Sequence, residues 1–582
     1  MGGRHSKSYR VVAEEGSISD VGIIRRTGSG PDLTTQQQQQ QQQPSQSSEE
    51  DSTMISTVLC QVDDLKDGQM KDFTVEGKKV LLVKDEGQFH AIGAKCTHYG
   101  ANLATGAYSN GRVRCPWHGA CFSVTTGDIE DFPGLDSLPK FQTKIEGNSV
   151  VLLATKEELE VVKRTKPMCS MADDCHEAPV IIVGGGAAAL TCAESLRQHS
   201  YQGNIIMMTQ ESSAPYDRIK LSKAPDTPVD KILLRTADFY EKHKIQILTN
   251  SQVTSVSVVD KAVTLADQDT VHYSKLVIAT GGTPRTLTCP GADLQGIHYL
   301  RTPQDGLSIS ESVQGRDVVI IGSSFIGMEL AASLVAKVKS ITCVDALTEP
   351  FQMVLGEPIG RAMRKLFESK GVQFKLQAKL VSLIGENGRV THAVLGDGSQ
   401  LVAETILVGI GVVPATAFLK DSGIEMNPQG FVKVDATMKT NVDDVYAAGD
   451  IVTFPMAALE LDNVNIQHWQ MAHKHGNVAG AAIAGIAKPI DTVPFFWTMV
   501  FGKSIRYTGY GGGHDDVVIH GIVDDLQFVA YYLKKGKVIA VASMGRDPVC
   551  AVFAQIFIAR KPVTKADIES NPNDDWTSWL SA

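Results

Sequence analysis

Two stretches of this chain repeat one pattern: an apolar run, a cluster of small residues and a helix-forming segment. The first reads Val180-Ile181-Ile182-Val183-Gly184-Gly185-Gly186-Ala187-Ala188-Ala189. The second begins 138 residues later and reads Val318-Val319-Ile320-Ile321-Gly322-Ser323-Ser324-Phe325-Ile326-Gly327. A short continuous apolar run suits a strand covered on both faces, and a strand–turn–helix unit of this kind builds a parallel sheet. The opening glycine makes the tight turn. The helix then starts where free N–H groups and the helix dipole favour an anion. In the first unit Gly184 turns the chain, Gly186 lets a pyrophosphate approach the backbone, and Ala189 lets the helix pack closely. Glu211, 27 residues after Gly184, is spaced to hold ribose hydroxyls. In the second unit Gly322 and Gly327 hold the outer places and Asp345 follows Gly322 by 23 residues. An acid there accepts from a ribose 2′-hydroxyl and repels a 2′-phosphate, which favours NADH over NADPH. Ser324 replaces the middle glycine, and its Cβ crowds the pyrophosphate, so weakened affinity is expected. One such motif is weak evidence, but two in order predict two dinucleotide-binding lobes.

The remaining segments separate by texture. Residues 1–53 contain the run Gln36–Gln43 and Ser/Glu-rich sequence, a composition expected to be disordered. Residues 54–155 alternate in short runs such as Lys79–Val83 and Val150–Leu153, which predicts a small antiparallel β domain. A charged linker, 156–178, leads to the first lobe at 179–315. The second lobe is expected over 316–434, a return to the first over 435–490, and a mixed α/β end over 491–582.

Inside the β domain, Cys96-Thr97-His98 is followed after sixteen residues by Cys115-Pro116-Trp117-His118. Two thiolates and two imidazoles suit a mixed-ligand [2Fe–2S] centre, with cysteines on one iron and histidines on the other. A Cys₂His₂ zinc site is the alternative, but zinc sites usually pair like ligands at short spacing. Here each loop carries one Cys and one His, with Gly100 and Gly119 just beyond the histidines. Cys121 adjoins the site and reads as a core residue.

This segment resembles the Rieske family. Where members of the cytochrome bc type carry a disulfide, this chain has Ala101 and Trp117; where they carry a Ser and a Tyr that bond the cluster sulfurs, it has Ala120 and Phe122. Losing those donors destabilises the reduced cluster, so the resemblance implies a potential in the lower part of the roughly −150 to +300 mV Rieske range. The later segments Leu276–Arg285 and Thr440–Asp450 resemble the two-dinucleotide-domain flavoprotein disulfide reductases. That resemblance implies FAD contacts at Gly184, Gly186, Glu211, Arg218, Lys223, Val253, Arg285, Asp450 and Trp469. It implies NADH contacts at Gly322, Gly327, Glu329 and Asp345. The C-x₄-C pair of a disulfide reductase is replaced by a helix with Cys192 alone, and Pro215–Lys223 resembles the branch of ferredoxin reductases and apoptosis-inducing factor. In that branch Lys223 pairs with Glu329.

The domain order as a whole resembles the apoptosis-inducing factor-like proteins, the Rieske-bearing relatives of apoptosis-inducing factor. The fold expected is multidomain: an antiparallel β Rieske domain, then an α/β flavoprotein with two dinucleotide-binding domains and an α/β C-terminal interface domain. The resemblance implies a mitochondrial or cytoplasmic oxidoreductase with a link to apoptosis, and it is compatible with a homodimer. Electrons are expected to pass from NADH through FAD to the cluster, leaving by the histidine-bearing tip for an unidentified acceptor. No catalytic acid or base is needed. The rival reading is an NADH-responsive apoptotic signalling protein with little turnover.

Composition sets the outer limits. Net charge is −10, which argues against nucleic acid as a partner. Ten scattered cysteines lack the spacing of a disulfide scaffold. No apolar run approaches the roughly 20 residues that cross a bilayer. Met1-Gly2-Gly3-Arg4-His5-Ser6 fits an N-myristoylation pattern, which at most predicts weak membrane association.

Overall fold

The structure is a computed structural model and describes residues 54–172 and 175–581. The glutamine run and Gly2 lie outside the described residues. The antiparallel β region holds a six-stranded sheet ordered Ile55–Gln61, Ser149–Ala154, Lys140–Glu146, Gln88–Gly93, Lys78–Asp85, Met70–Val75. A second sheet of four short strands, Ala107–Ser109, Arg112–Arg114, Cys121–Ser123 and Ile129–Asp131, packs beside it. Leu81, Val83, Ile92, Val113, Phe122 and Leu138 fill the space around the cysteine loops with almost no exposure.

The two glycine units each open a five-stranded parallel sheet. The first runs in the order Ile245–Leu248, Ile205–Met208, Val180–Val183, Lys275–Ile278, Val445–Ala447. The second runs Ile297–Tyr299, Thr405–Val408, Asp317–Ile321, Ser340–Val344, Val372–Lys375. In both, the strand before the glycines is buried on both faces, so its apolar run has no polar alternation. The last strand of the first sheet, Val445–Ala447, comes from beyond the second sheet, which is therefore an insertion within the first. Its partner in register is Leu276–Ile278.

After that strand the helix Trp469–Ile483 crosses the first glycine-turn helix, Ala187–Gln198. The crossing is close because small residues face each other. A Cβ on Gly476 would lie 2.0 Å from the Ala188 carbonyl oxygen, and one on Gly480 would lie 2.5 Å from that of Cys192. Residues 495–544 form an antiparallel five-stranded sheet in the order Phe495–Val500, Lys503–Gly509, Lys537–Met544, Gln527–Lys534, Asp516–Ile522. The apolar helix Val549–Ile558 covers one face of it, with Val552, Phe553 and Ile556 in the shared core.

Candidate functional site

The first lobe encloses a cavity of about 760 Å³. Its wall carries Gly184, Gly186, Glu211, Arg218, Val253, Asp450 and Trp469 from the sequence reading. Gly184 has φ +134°, and a Cβ there would strike the Ala279 carbonyl oxygen at 2.2 Å, so the turn demands glycine. Gly186 faces open space, with no atom within 4 Å of where a Cβ would sit. Glu211 accepts from the Tyr216 hydroxyl at 2.6 Å and pairs with the Arg218 guanidinium at 2.5 Å. Asp450 lines the same cavity half-buried, and desolvation raises its pKa against the pull of Arg301 and Arg218.

Arg301 lines this cavity and no motif pointed to it. Its burial, reinforced by the nearby Arg218 charge, lowers its pKa, and it forms no ion pair among the described residues. Two guanidiniums, a helix N-terminus and open space at Gly186 together fit a large anionic dinucleotide such as FAD. Arg285 lies outside the cavity wall. Its backbone N–H donates to the Gly411 carbonyl at 2.9 Å, beside the Gly282–Pro284 strand that pairs with Val412–Pro414.

In the second lobe Gly322 has φ +99°, and a Cβ there would meet the Gly409 oxygen at 2.4 Å. Gly327 is forced by the helix, since its Cβ would lie 2.1 Å from the Gly322 oxygen. Asp345 receives the Ser323 backbone N–H at 2.6 Å, the Ser323 hydroxyl at 2.8 Å and the Leu347 N–H at 2.9 Å. These bonds hold the carboxylate at the end of its strand, Ser340–Val344. Ser324 caps the helix with φ −84° and makes no capping bond through its side chain.

Between the lobes, Lys223 lies 2.9 Å from Glu329, the pair that the branch resemblance implied. Two further donors were not foreseen. The Ser222 hydroxyl donates to Glu329 at 2.5 Å, and the Thr498 hydroxyl, from the C-terminal sheet, donates at 2.7 Å. These partners compensate the buried carboxylate for the water it has lost.

The two cysteine–histidine loops share one geometry. Cys96 N–H donates to the Ala101 carbonyl at 2.9 Å, and Cys115 N–H donates to that of Ala120 at 2.8 Å. Gly100 and Gly119 close the loops with φ +76° and +73°, conformations that favour glycine. The loops bring the two thiols together and the two imidazoles together, with His98 Nδ1 3.1 Å from His118 Nδ1. Its hydrogen bond to Cys115, then burial, pushes the Cys96 thiol up. Burial works against Cys115, yet that bond and the N–H groups of His118 and Trp117 draw it down. Burial lowers His98 to about 4 and, with the charges of His98, Arg506 and Lys223, His118 to about 2. Imidazoles held in the neutral form, with their Nδ1 atoms side by side, are suited to ligate a metal. Among the described residues no three His, Cys, Asp or Glu side chains converge as one ion requires. The division into a thiol pair and an imidazole pair fits a two-iron cluster better than one zinc.

The histidine pair was expected at an outward tip. The structure turns it inward instead. His118 packs 4.5 Å from the Trp497 ring and His98 5.8 Å from it, both measured between centroids. Tyr99 donates to Asp217 of the first lobe at 3.2 Å, and Arg506 donates to the Trp117 carbonyl at 3.1 Å. The reason is shape and charge on the far side, which a single domain's sequence does not display. Phe495 lies so close to Gly119 that a Cβ there would overlap its ring at 2.4 Å.

Comparison with known proteins agrees with this architecture. A model described as pyridine nucleotide-disulphide oxidoreductase matches residues 178–476, one for the Rieske [2Fe-2S] domain matches 56–142, and one for the reductase C-terminal domain matches 495–575. The chain belongs to the pyridine nucleotide-disulphide oxidoreductase family, in a branch that carries a Rieske domain. Apoptosis-inducing factor 3 of Mus musculus and of Homo sapiens are each 46% identical over 88% of this chain and 86% of their own lengths. Among solved structures, the ferredoxin reductase for the CYP199A2 system from Rhodopseudomonas palustris is 28% identical, with a TM-score of 0.63 over 67% of this chain and 96% of its own. Membership makes the protein a flavin-dependent NAD(P)H oxidoreductase of the ferredoxin-reductase type, with FAD and a [2Fe–2S] cluster as cofactors. No described helix is long and apolar enough to cross a membrane.

Proposed function

We propose that this chain carries its own iron–sulfur partner: electrons pass from NADH through FAD to the cluster at Cys96, His98, Cys115 and His118, and then to an acceptor outside the chain. The observation that carries this reading is the docking of both cluster loops against Trp497, Asp217 and Arg506 of the flavoprotein body. Bound FAD would supply two-electron acceptance from NADH and release of electrons one at a time, so each NADH would reduce two one-electron acceptors and free one proton.

The chain's residues do the positioning. Gly184, Gly186 and the following helix would receive the FAD pyrophosphate, and Glu211, Arg218, Val253, Asp450 and Trp469, which line the same cavity, would hold the rest of the cofactor. Gly322 and Gly327 shape the NADH turn, Asp345 selects against a 2′-phosphate, and Glu329 with Lys223 sets a fixed charge pair between the lobes. Trp497 excludes water from the histidine side. The acceptor approaches where the loops stay open, at Tyr99 and Trp117, which are 43% and 40% exposed. The link to apoptosis comes from the names of the mouse and human relatives, and we carry it as a role downstream of this turnover.

The test is an anaerobic NADH titration of the loaded protein followed by EPR and visible absorption. The wild type is expected to bleach its flavin and develop a reduced-cluster signal with average g below 2. Cys115→Ser is expected to keep flavin bleaching and lose NADH-dependent cytochrome c reduction. Survival of both activities in that variant removes the cluster from the path. Turnover well below one per second with every artificial acceptor supports the signalling reading instead.

A further inference from the structure

We propose that Lys474 is a positioning residue for electron transfer from flavin to cluster, acting through an ion pair that fixes the Rieske domain against the helix lining the flavin cavity. The proposal rests on the electron path above and adds how its distance is set.

Helix Trp469–Ile483 places Trp469 on the cavity wall. One turn later His473 stacks on Phe132 of the Rieske domain, with centroids 5.2 Å apart and planes 18° from parallel. The next residue, Lys474, reaches the Asp131 carboxylate at 3.1 Å and the Glu130 carbonyl at 3.1 Å. The other oxygen of Asp131 takes the Arg114 guanidinium at 2.8 Å. Arg114 immediately precedes the ligand Cys115 and donates to the carbonyl of Gly119, which closes that loop, at 2.7 Å. One carboxylate thus joins the flavin helix to a cluster loop. Asp131 and Arg114 are buried, with 6% and 1% exposure, and Lys474 is partly buried at 13%, so salt in solution screens the connection much less than a surface pair.

Other contacts also hold the domain. Arg235 bonds Asp136 at 2.6 Å, and the linker is pinned at both ends. Arg164 donates to Leu138 O at 2.9 Å on the Rieske side, and Cys169 N–H donates to Arg197 O at 3.0 Å on the other. Losing Lys474 therefore shifts the Rieske domain and does not free it. Electron transfer weakens exponentially with the separation of donor and acceptor, so a small displacement of the cluster from the flavin slows the step without abolishing it.

The experiment uses the full FAD- and cluster-loaded chain with Lys474→Met and Lys474→Arg. Rapid anaerobic mixing with NADH separates flavin bleaching from cluster reduction, and hydrogen–deuterium exchange reads docking independently of turnover. Lys474→Met is expected to bleach flavin at the wild-type rate and keep the EPR line shape. Its cluster reduction slows several-fold, and exchange rises across 129–132. Lys474→Arg is expected to restore both readouts. If the Met variant fails to take up a cluster, Lys474→Gln, which can still donate to the Glu130 carbonyl, serves the same comparison. Wild-type cluster reduction with unchanged exchange in the Met and Gln variants overturns the proposal. If NADH never reduces the wild-type cluster, the electron path itself fails and this proposal falls with it, while exchange still reports the docking.

Discussion

The two nucleotide lobes build the same turn and differ at its middle position. Both open on a glycine that a side chain cannot replace, Gly184 at φ +134° and Gly322 at φ +99°, each against a backbone carbonyl. At the middle position the backbones also match: Gly186 sits at φ −101°, ψ −169° and Ser324 at φ −84°, ψ −169°. Those values suit any L-residue. The chain's own backbone therefore does not demand glycine at 186, and serine at 324 folds without strain; on the proposed reading it is the ligand that needs the space at 186 and that Ser324 crowds. The acids differ too. Glu211 faces a guanidinium, whereas Asp345 is held by Ser323 and two backbone N–H groups. On the proposed reading the first lobe retains its nucleotide and the second exchanges it.

The largest effect expected from this contrast is in the first lobe. Gly186→Ser is expected to fold and to lose bound FAD, lowering flavin per chain by at least about tenfold, or ~1.4 kcal/mol in binding. Full flavin occupancy in that variant, read from the visible spectrum, breaks the comparison. The reciprocal change sharpens it: Ser324→Gly is expected to lower KM for NADH by about tenfold with kcat unchanged, the signature of uniform binding. An unchanged KM shows that Ser324 does not crowd the pyrophosphate. Asp345→Asn keeps an acceptor for Ser323 and removes the charge, so the preference for NADH over NADPH is expected to shrink several-fold to about tenfold. Equal discrimination before and after places selectivity elsewhere. The smallest effect concerns Asp450, whose pKa burial raises. A raised carboxylate contributes stability that is fully present below its unfolded value, about 3.9, and lost as pH rises through the folded value. The flavin-free protein is thus expected to melt lower as pH climbs above about 4, and Asp450→Asn to flatten that slope. A flat wild-type profile contradicts the burial argument.

Much of the scaffold was legible because its strands are buried on both faces and its turns need glycine. The runs at 180–183 and 318–321 sit on their strands, and the loops at Cys96 and Cys115 match each other bond for bond. Arg301 was not legible, since a lone arginine outside any motif carries no local signal and gains meaning only by facing Asp450 and Arg218 across the cavity. Arg285 was placed by motif alone, and its strand went to pair with Val412–Pro414. Thr498 reaches Glu329 across 169 positions, a distance at which spacing has no predictive force.

By itself the sequence determined the chemistry available: which atoms can ligate iron, where a backbone can turn tightly against a phosphate, and which acids are spaced to meet a ribose. These depend on neighbours within a few residues, where bond geometry limits the outcomes. The tertiary structure decided direction. It turned the histidine pair toward Trp497, and it let one carboxylate, Asp131, join Arg114 to Lys474. Such choices follow from burial and charge complementarity between surfaces far apart in the chain, which no local pattern encodes.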